Sequence, residues 1–256
     1  MINWAGEKPA NLPPVRLATG PVLAGCARDL SRHARWVPGL AWPTVLAASA
    51  AALIQSYALT APLGRLAVAA AVVPFAVMLV VAWQRLLLLG PDRVTAPPVR
   101  WTRRHTRVLA LLVGVVAAHA AVLAFVLVAV AALPMRPPVR AWILLASVWF
   151  VVTLFTPLSL KLPGAAAGLT PPPRAWQARP AHFGNAALVW LAVFLVSGPL
   201  AAGAGLLIAS AGAPVAVHVP GAIVGAGVIC LALLVGATAK TRMLRALSTP
   251  APGEDP

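Results

Sequence analysis

The stretch VLALLVGVVAAHAAVLAFVLVAVAAL, residues 108–133, contains no charged side chain. About 20 consecutive apolar residues are enough for an α-helix to cross the roughly 30 Å hydrocarbon core of a bilayer. The apolar residues here are continuous and do not alternate with polar ones, as they would in a strand of a membrane barrel. The stretch therefore predicts a transmembrane helix.

The composition of the whole chain is that of a membrane protein. Of its 256 residues, 61% are hydrophobic and only 10% are charged, whereas soluble domains carry about 25% charged residues. Besides 108–133, long apolar runs occur at residues 43–61, 66–83, 141–160, 186–209 and 219–239. We predict an all-α, polytopic membrane protein whose six transmembrane helices form one domain at residues 42–239.

The placement of positive charge predicts the orientation of the helices. The chain has 20 Lys and Arg residues against 5 Asp and Glu, a net charge of +15. If the N-terminus is cytoplasmic, every basic residue except Arg65, Arg136 and Arg140 falls in a cytoplasmic segment. Basic residues flanking membrane helices stay on the cytoplasmic side. Both termini are therefore predicted to be cytoplasmic, and the charge requires no nucleic-acid partner.

The segments outside the six spans divide into tails and one helix. Residues 1–20 are rich in proline and small residues and predict a mobile cytoplasmic tail, and residues 240–256 form a second tail. Within residues 21–38, apolar side chains recur at helical spacing. They are Leu23, Cys26, Ala27, Leu30, Ala34 and Val37. This pattern predicts an amphipathic helix on the cytoplasmic membrane surface, with an ordinary lead-in to the first span as the alternative.

The segment between the second and third spans, residues 84–107, is strongly basic. A helix that starts early would place four arginines on one face, beside Trp101. This basic stripe comprises Arg100, Arg103, Arg104 and Arg107. Each basic residue near an anionic leaflet contributes about 1 kcal/mol of attraction. The stripe is either a topology signal or a surface that binds anionic lipid head groups or an acidic protein partner.

The carboxylates argue against several kinds of chemistry. None of the five lies in a predicted span, and Lys240 follows the last span. Buried ionisable groups mark ion pathways and active sites in membranes, so a carboxylate-relay transporter and an aspartyl protease are excluded. The Ser and Thr residues in the spans lack an accompanying base for nucleophilic catalysis. We predict that the chain is not an enzyme.

His119 is the one histidine in the middle of a predicted span. It is either a haem or metal ligand, a proton relay, or a neutral histidine hydrogen-bonded to a neighbouring helix. A metal site needs three or four ligands, and the other histidines fall near or beyond the ends of the spans. These are His33, His105, His182 and His218. No metal and no cofactor is predicted.

Small residues and prolines in the spans predict features of helix packing. Glycine lets two membrane helices approach closely. The glycines of the last two spans include Gly198, Gly203, Gly205, Gly221, Gly225 and Gly227. They predict a tight hairpin or, alternatively, a contact with another subunit. Pro74 and Pro199 remove backbone hydrogen bonds within their spans and predict kinks, which can provide binding niches.

Two segments resemble the signatures of a family of uncharacterised six-span bacterial inner-membrane proteins. AWQRLLLLGPD, residues 82–92, resembles its "aWHRxxLLGE" pattern, and LSLKLPGAAAGLTPPPRAWQ, residues 158–177, resembles its "R-x-S-L-x-LP-x-x-A" segment. The matching residues include Trp83, Arg85, Gly90, Leu160, Pro163 and Trp176. Gln84, Pro91 and Leu158 depart from the polar positions of these patterns. The resemblance implies the six-span fold and a bacterial inner-membrane location.

These observations predict a non-enzymatic multi-pass membrane protein that serves as a scaffold, an assembly factor or an accessory subunit of a membrane complex. A permease or lipid-handling component, such as the membrane half of an ATP-driven exporter, is the alternative. The expected partners are anionic lipid head groups on the cytoplasmic side and a protein in or under the membrane. A bundle with a niche near Pro74 and Pro199 favours the alternative.

Overall fold

The computed structural model describes residues 17–57, 61–95, 97–98, 100–134, 136–169, 180–208 and 215–248. Within these ranges the chain is helical and has no β-strand. Six of the helices are long and apolar enough to cross a membrane. The prediction of an all-α chain with six candidate membrane-spanning helices is therefore confirmed.

The candidate spans are α2, α3, α4, α5, α8 and α9, and three shorter helices accompany them. The helices are α1 (Thr19–Arg32), α2 (Val37–Tyr57), α3 (Pro62–Leu89), α4 (Arg103–Ala131), α5 (Pro137–Leu154), α6 (Thr156–Ser159), α7 (Lys161–Ala167), α8 (Pro180–Ile208) and α9 (Val215–Ser248). Short 3₁₀ turns cover Ala34–Trp36 and Pro91–Arg93. Proline in the first turn starts α3 and α5, where its missing N–H leaves no hydrogen bond unmade.

Helix α9 lies at the centre of the bundle and packs against α1, α2, α3 and α8. Trp83 of α3 is fully buried in one core with Leu40 of α2 and Leu234 of α9. A second core joins the far end of α9, including Met243, to α8 and α1. The two cores place the ends of α1, α3, α8 and α9 together.

Helices α4 and α5 lie at the edge of the bundle. Their most apolar windows are only 6% and 11% buried, against 28–44% in the other candidate spans. Helix α7 connects α4 to the rest of the bundle. Its residues Leu162 and Ala166 pack with Val77 and Val81 of α3 and with Val108 of α4. This arrangement leaves a space between α4 and the α3–α8–α9 core.

The predicted fourth span, 141–160, is wrong in its second half. Helix α5 ends at Leu154, and the chain turns at Phe155 into α6 and α7. Pro157 has no N–H to donate to the preceding turn. The hydroxyls of Thr153 and Thr156 donate to carbonyls one turn back within the same stretch, which weakens a straight helix.

The sixth helix also differs from its prediction, because α9 continues to Ser248 and does not end near residue 239. Lys240 was placed in a tail, but it is a helical residue within the candidate span Val217–Leu247. Met243, Leu244 and Leu247 are buried against α8 and α1, which extends the helix beyond the apolar run.

Helix α1 is docked on the bundle, and its buried face differs from the predicted one. Val22, Gly25, Cys26 and Asp29 are buried, while Ala27, which was assigned to the apolar face, is exposed. Asp29 forms an ion pair with Arg242 of α9, in which Arg242 Nε donates to Asp29 Oδ2 at 2.6 Å. Thr19 Oγ1 also donates to Asn185 Oδ1 at 3.0 Å. The apolar side of α1 is thus occupied by protein.

Two of the predicted glycines do not lie in the α8–α9 hairpin contact. A Cβ added at Gly198 or Gly203 would meet no atom of the described chain within 4 Å, and the alternative, a contact of these glycines with another subunit, stays a prediction. Helix α8 does pack closely on α9, but through larger residues such as Val189 and Trp190. On α9, Gly225 is buried and Gly221 is half-buried, and Gly205 lies near the end of α8.

Candidate functional site

The start of α4 determines where the basic residues lie. Helix α4 begins at Arg103, because Thr102 forms a capping box with His105. The Thr102 backbone N–H donates to His105 Nδ1 at 2.9 Å. Trp101 Nε1 donates to Thr106 Oγ1 at 3.0 Å, which holds the preceding residue against the first turn. Arg100 therefore lies outside the helix, and the predicted stripe of four arginines on one helical face is wrong.

A different set of four arginines comes together in its place. A pocket of about 260 Å³ lies between the end of α3, the following loop and the start of α4. The arginines in its wall are Arg85, Arg93, Arg100 and Arg104, and no carboxylate of the described residues lines it. Arg85 Nη2 donates to the Arg93 carbonyl at 2.8 Å, which ties the loop to α3. We call this site the arginine pocket.

Two glycines with positive φ shape the surroundings of the arginine pocket. Gly90, at φ +88°, ends α3 and turns the chain into the loop, a conformation that side chains other than glycine rarely adopt. Gly168, at φ +74°, ends α7, and a Cβ added there would lie 3.4 Å from Arg104 Nε. The Arg104 side chain thus lies directly on Gly168.

The other residues of the predicted stripe do not line the arginine pocket. Arg103, Arg107 and Trp101 are exposed at the start of α4 and are not part of the pocket wall. Arg85 and Arg93 belong to the pocket, although neither was part of the predicted stripe. Guanidinium groups form paired, charge-assisted hydrogen bonds with phosphate and carboxylate groups. Four of them around one pocket can bind an anionic head group.

The remaining signature residues are structural. Trp83 is 0% exposed, and its Nε1 donates to Thr238 Oγ1 at 2.8 Å. Leu160 and Pro163 are buried where α6 and α7 enter the bundle. Trp176 lies outside the described residues.

A second site, the central cavity, occupies the space between α4 and the α3–α8–α9 core. Its volume is about 430 Å³, and most of its wall is apolar. The side chains in its wall that carry polar atoms are Gln84, His119, Ser159, Trp190, Ser197 and Lys240. An apolar cavity with a few convergent polar groups is the usual form of a small-molecule site. Its lining residues include Ala76 and Ser197, which are two residues away in sequence from Pro74 and Pro199, respectively.

Lys240 is the charged group of the central cavity. Its Nζ lies 5.8 Å from the centre of the Trp190 ring, within the range of a cation–π contact. Trp190 Nε1 donates to Thr156 Oγ1 at 2.7 Å, which fixes the ring. Neither described carboxylate, Asp29 or Asp92, forms an ion pair with Lys240.

Gln84 is the most unusual polar residue of the central cavity. Its side chain is 0% exposed, and neither its Oε1 nor its Nε2 has a hydrogen-bond partner. Buried amide groups in proteins are almost always hydrogen-bonded, so each exception needs an explanation. The sequence alone identified Gln84 only as a departure from a family pattern.

His119 lines the same cavity. Its packing interpretation required a hydrogen bond to a neighbouring helix, but the bond formed among the described residues is to its own helix. Its Nδ1 lies 2.6 Å from the Val115 carbonyl of its own helix. Because a carbonyl only accepts, Nδ1 carries the proton. The His119 ring also contacts Phe155, with 4.9 Å between the ring centres. In the described part of the chain, no cluster of three or more His, Cys, Asp or Glu residues could hold a metal ion.

Comparisons of the chain with protein-family models, with curated proteins and with solved structures give no match in any of the three. The resemblance to the six-span bacterial family therefore stays a prediction.

Proposed function

We propose that this chain is a non-enzymatic, multi-pass membrane protein that handles anionic lipid. The sequence favoured a scaffold or accessory subunit over a lipid-handling component. The arginine pocket reverses that order, because it gathers four guanidinium groups around one space, and neither described carboxylate, Asp29 or Asp92, lies in its wall. Arginines that served only to orient the helices in the membrane would not need to converge on one pocket.

The energetics favour a lipid head group in the arginine pocket. Each basic residue near an anionic leaflet is worth about 1 kcal/mol, so four converging groups are worth about 4 kcal/mol before hydrogen bonding is counted. A phosphate can accept paired hydrogen bonds from more than one guanidinium. The pocket lies where α3 ends and α4 begins, at the end of two candidate spans, which is the level of lipid head groups.

The proposal includes a bacterial inner-membrane location, membership of the six-span family, and cytoplasmic termini. Contacts at one end of the bundle support the common side of the termini. The Arg245 guanidinium of α9 donates to the Leu87 carbonyl at the end of α3. The Asp29–Arg242 ion pair brings α1 to the same end of α9. The N-terminal helix, the arginine pocket and the end of the last helix therefore share one face.

The role of a scaffold, assembly factor or accessory subunit is the second candidate. The low burial of α4 and α5 supports it, since Phe125 is 76% exposed and Trp142 is 70% exposed. Such faces contact either lipid chains or another subunit. Extraction into native lipid discs followed by mass spectrometry tests this role, and a stoichiometric protein partner is its expected result.

The same extraction tests lipid handling with two charge-matched variants. In the Arg100→Gln/Arg104→Gln protein, we expect retention of anionic phospholipid to fall at least tenfold relative to the unaltered chain, because two guanidinium groups of the pocket are lost. The Arg103→Gln/Arg107→Gln protein is the control, since it loses the same charge from the same segment but outside the pocket. Its retention should stay within twofold.

Two outcomes would contradict this proposal. Equal losses in both variants would mean that general charge, and not the arginine pocket, attracts the lipid. Unchanged retention in the pocket variant would mean that the pocket holds no lipid. Cysteine accessibility in the loops verifies that the topology of both variants is preserved.

A further inference from the structure

We propose that the central cavity is a binding site for a single-chain amphiphile with a carboxylate head, which Lys240 and Gln84 bind. This site is separate from the arginine pocket, because the two have no lining residue in common. Val81, Ala82 and Arg85 line the arginine pocket, whereas Val77 and Gln84 line the central cavity. The two proposals therefore fail or succeed independently.

The first argument is the unpaired amide of Gln84. Burying a glutamine only for packing is unfavourable, because its Oε1 and Nε2 lose their hydrogen bonds to water and gain no partner. Both atoms lack a partner here, and the side chain forms part of the cavity wall. A ligand oxygen that accepts a hydrogen bond from Nε2 would satisfy the donor, and a protonated or hydrated group would satisfy Oε1.

The second argument is the charge of Lys240. Its ammonium group has three donors and lies over the face of Trp190. Gln84 and Lys240 lie on helices that touch at this level, because Trp83 Nε1 bonds to Thr238 Oγ1 at 2.8 Å. The cavity therefore offers one positive charge and one amide within a few turns of each other.

The single positive charge selects the head group. A monoanionic carboxylate is neutralised by one ammonium, whereas a phosphate dianion leaves a second charge unpaired in an apolar cavity. The nearby Arg242 is not available for that charge, since it pairs with Asp29. The described side chains thus fit a monoanionic head group, of which carboxylate is the smallest.

The size and the walls of the central cavity select the rest of the ligand. A volume of about 430 Å³ corresponds to about 14 water molecules at roughly 30 Å³ each, hence to a chain of on the order of a dozen carbon atoms. Valine and leucine side chains dominate the wall and can cover such a chain. They include Val77, Val80, Leu112, Val115, Val193 and Leu233.

Photo-crosslinking of the full chain in lipid discs tests the proposal. The probe is dodecanoate with a diazirine near its methyl end, and the comparison probe is the corresponding dodecanol. We expect dodecanoate to label the peptides of α3, α8 and α9 at least tenfold more than dodecanol does. Unlabelled dodecanoate should compete, and butyrate at the same concentration should not.

Substitutions of the two polar residues give the next measurement. Lys240→Met and Gln84→Leu should each lower dodecanoate labelling at least tenfold while leaving the dodecanol background unchanged. Lys161→Met and Gln55→Leu are the matched controls. Neither side chain lines the central cavity, and Gln55 Nε2 already donates to the Arg65 carbonyl. The controls should label within twofold of the unaltered chain.

A third variant, Gly236→Leu, tests the proposal even if Lys240→Met or Gln84→Leu prevents folding. Gly236 lines the central cavity, and a Cβ added there would meet no atom within 4 Å. Leucine also favours the helix over glycine, so this variant should fold and should lose labelling because its side chain fills the space. Labelling that persists in folded Gly236→Leu or Lys240→Met protein would overturn the proposal. Equal labelling by dodecanol, or equal competition by butyrate, would overturn it as well.

Discussion

In the Asp29→Asn protein, Cys26 should react with N-ethylmaleimide on the order of a hundred times faster than in the unaltered chain. The Asp29 side chain is 8% exposed and that of Arg242 is 26% exposed, so the ion pair that docks α1 on α9 is partly buried. Removing one partner of a buried pair costs about 3–5 kcal/mol, and about 3 kcal/mol is a reasonable value for a pair with this exposure. That free energy lowers the docking equilibrium roughly hundredfold.

Cys26 is a suitable reporter of this docking because its thiol is buried under α9. Burial raises the pKa of Cys26 from its ordinary value of 9.0 to about 11, and nearby Arg242 opposes this shift. At pH 7 only about one thiol in ten thousand is then the reactive thiolate. In the docked protein the labelling rate should rise about tenfold per pH unit up to about pH 11. In the undocked variant it should level off near pH 9.

A pair of glycine substitutions separates loss of the ion pair from general damage to α1. A Cβ at Gly25 would lie 3.0 Å from Arg242 Cδ, whereas one at Gly20 would meet nothing within 4 Å. Gly25→Val should therefore accelerate the labelling of Cys26, and Gly20→Val should not. All proteins carry Cys230→Ser, because Cys230 is a second free thiol. Equal rates in the Asp29→Asn and unaltered proteins would show that the ion pair does not hold α1.

The candidate spans could be predicted because continuous apolar runs report directly on the length of a membrane helix. Errors arose where packing overrides hydropathy. The run at 141–160 continues through Phe155, yet Pro157 interrupts the helix there. The run that ends near residue 239 is followed by Lys240 and Arg242, yet α9 continues, because Met243 and Leu247 are buried against α8 and α1.

The two sites show the same limit of sequence reasoning. The basic character of residues 84–107 was visible, but the identity of the converging arginines depends on Thr102, whose capping of α4 excludes Arg100 from the helix. The central cavity was invisible, since Gln84, Trp190 and Lys240 come from three helices that are far apart in sequence. Helical periodicity reports which residues share a face of one helix and does not report which helices meet.

Trp83→Ala should lower the free energy of unfolding by about 3–5 kcal/mol, the usual cost of deleting a buried aromatic side chain. Trp83 is 0% exposed and packs between α2 and α9. Its Nε1 donates to Thr238 Oγ1 at 2.8 Å, and the Thr238 hydroxyl in turn donates to the Leu234 carbonyl at 2.7 Å. Trp83→Phe should cost less, about 1 kcal/mol for the lost hydrogen bond in addition to a smaller packing loss. Titration of the protein in mixed micelles with dodecyl sulfate, followed by circular dichroism, measures both values.

Trp142→Ala is the matched control for this prediction, since Trp142 is 70% exposed on α5. A substitution on an exposed face usually changes stability by less than about 0.5 kcal/mol. If Trp142→Ala were as destabilising as Trp83→Ala, the outer face of α5 would be buried in the purified protein, and a second subunit would have to cover it. If both substitutions were neutral, the contact of α3 with α9 at Trp83 would not stabilise the bundle. The position of the central cavity, which lies beside that contact, would then be wrong as well.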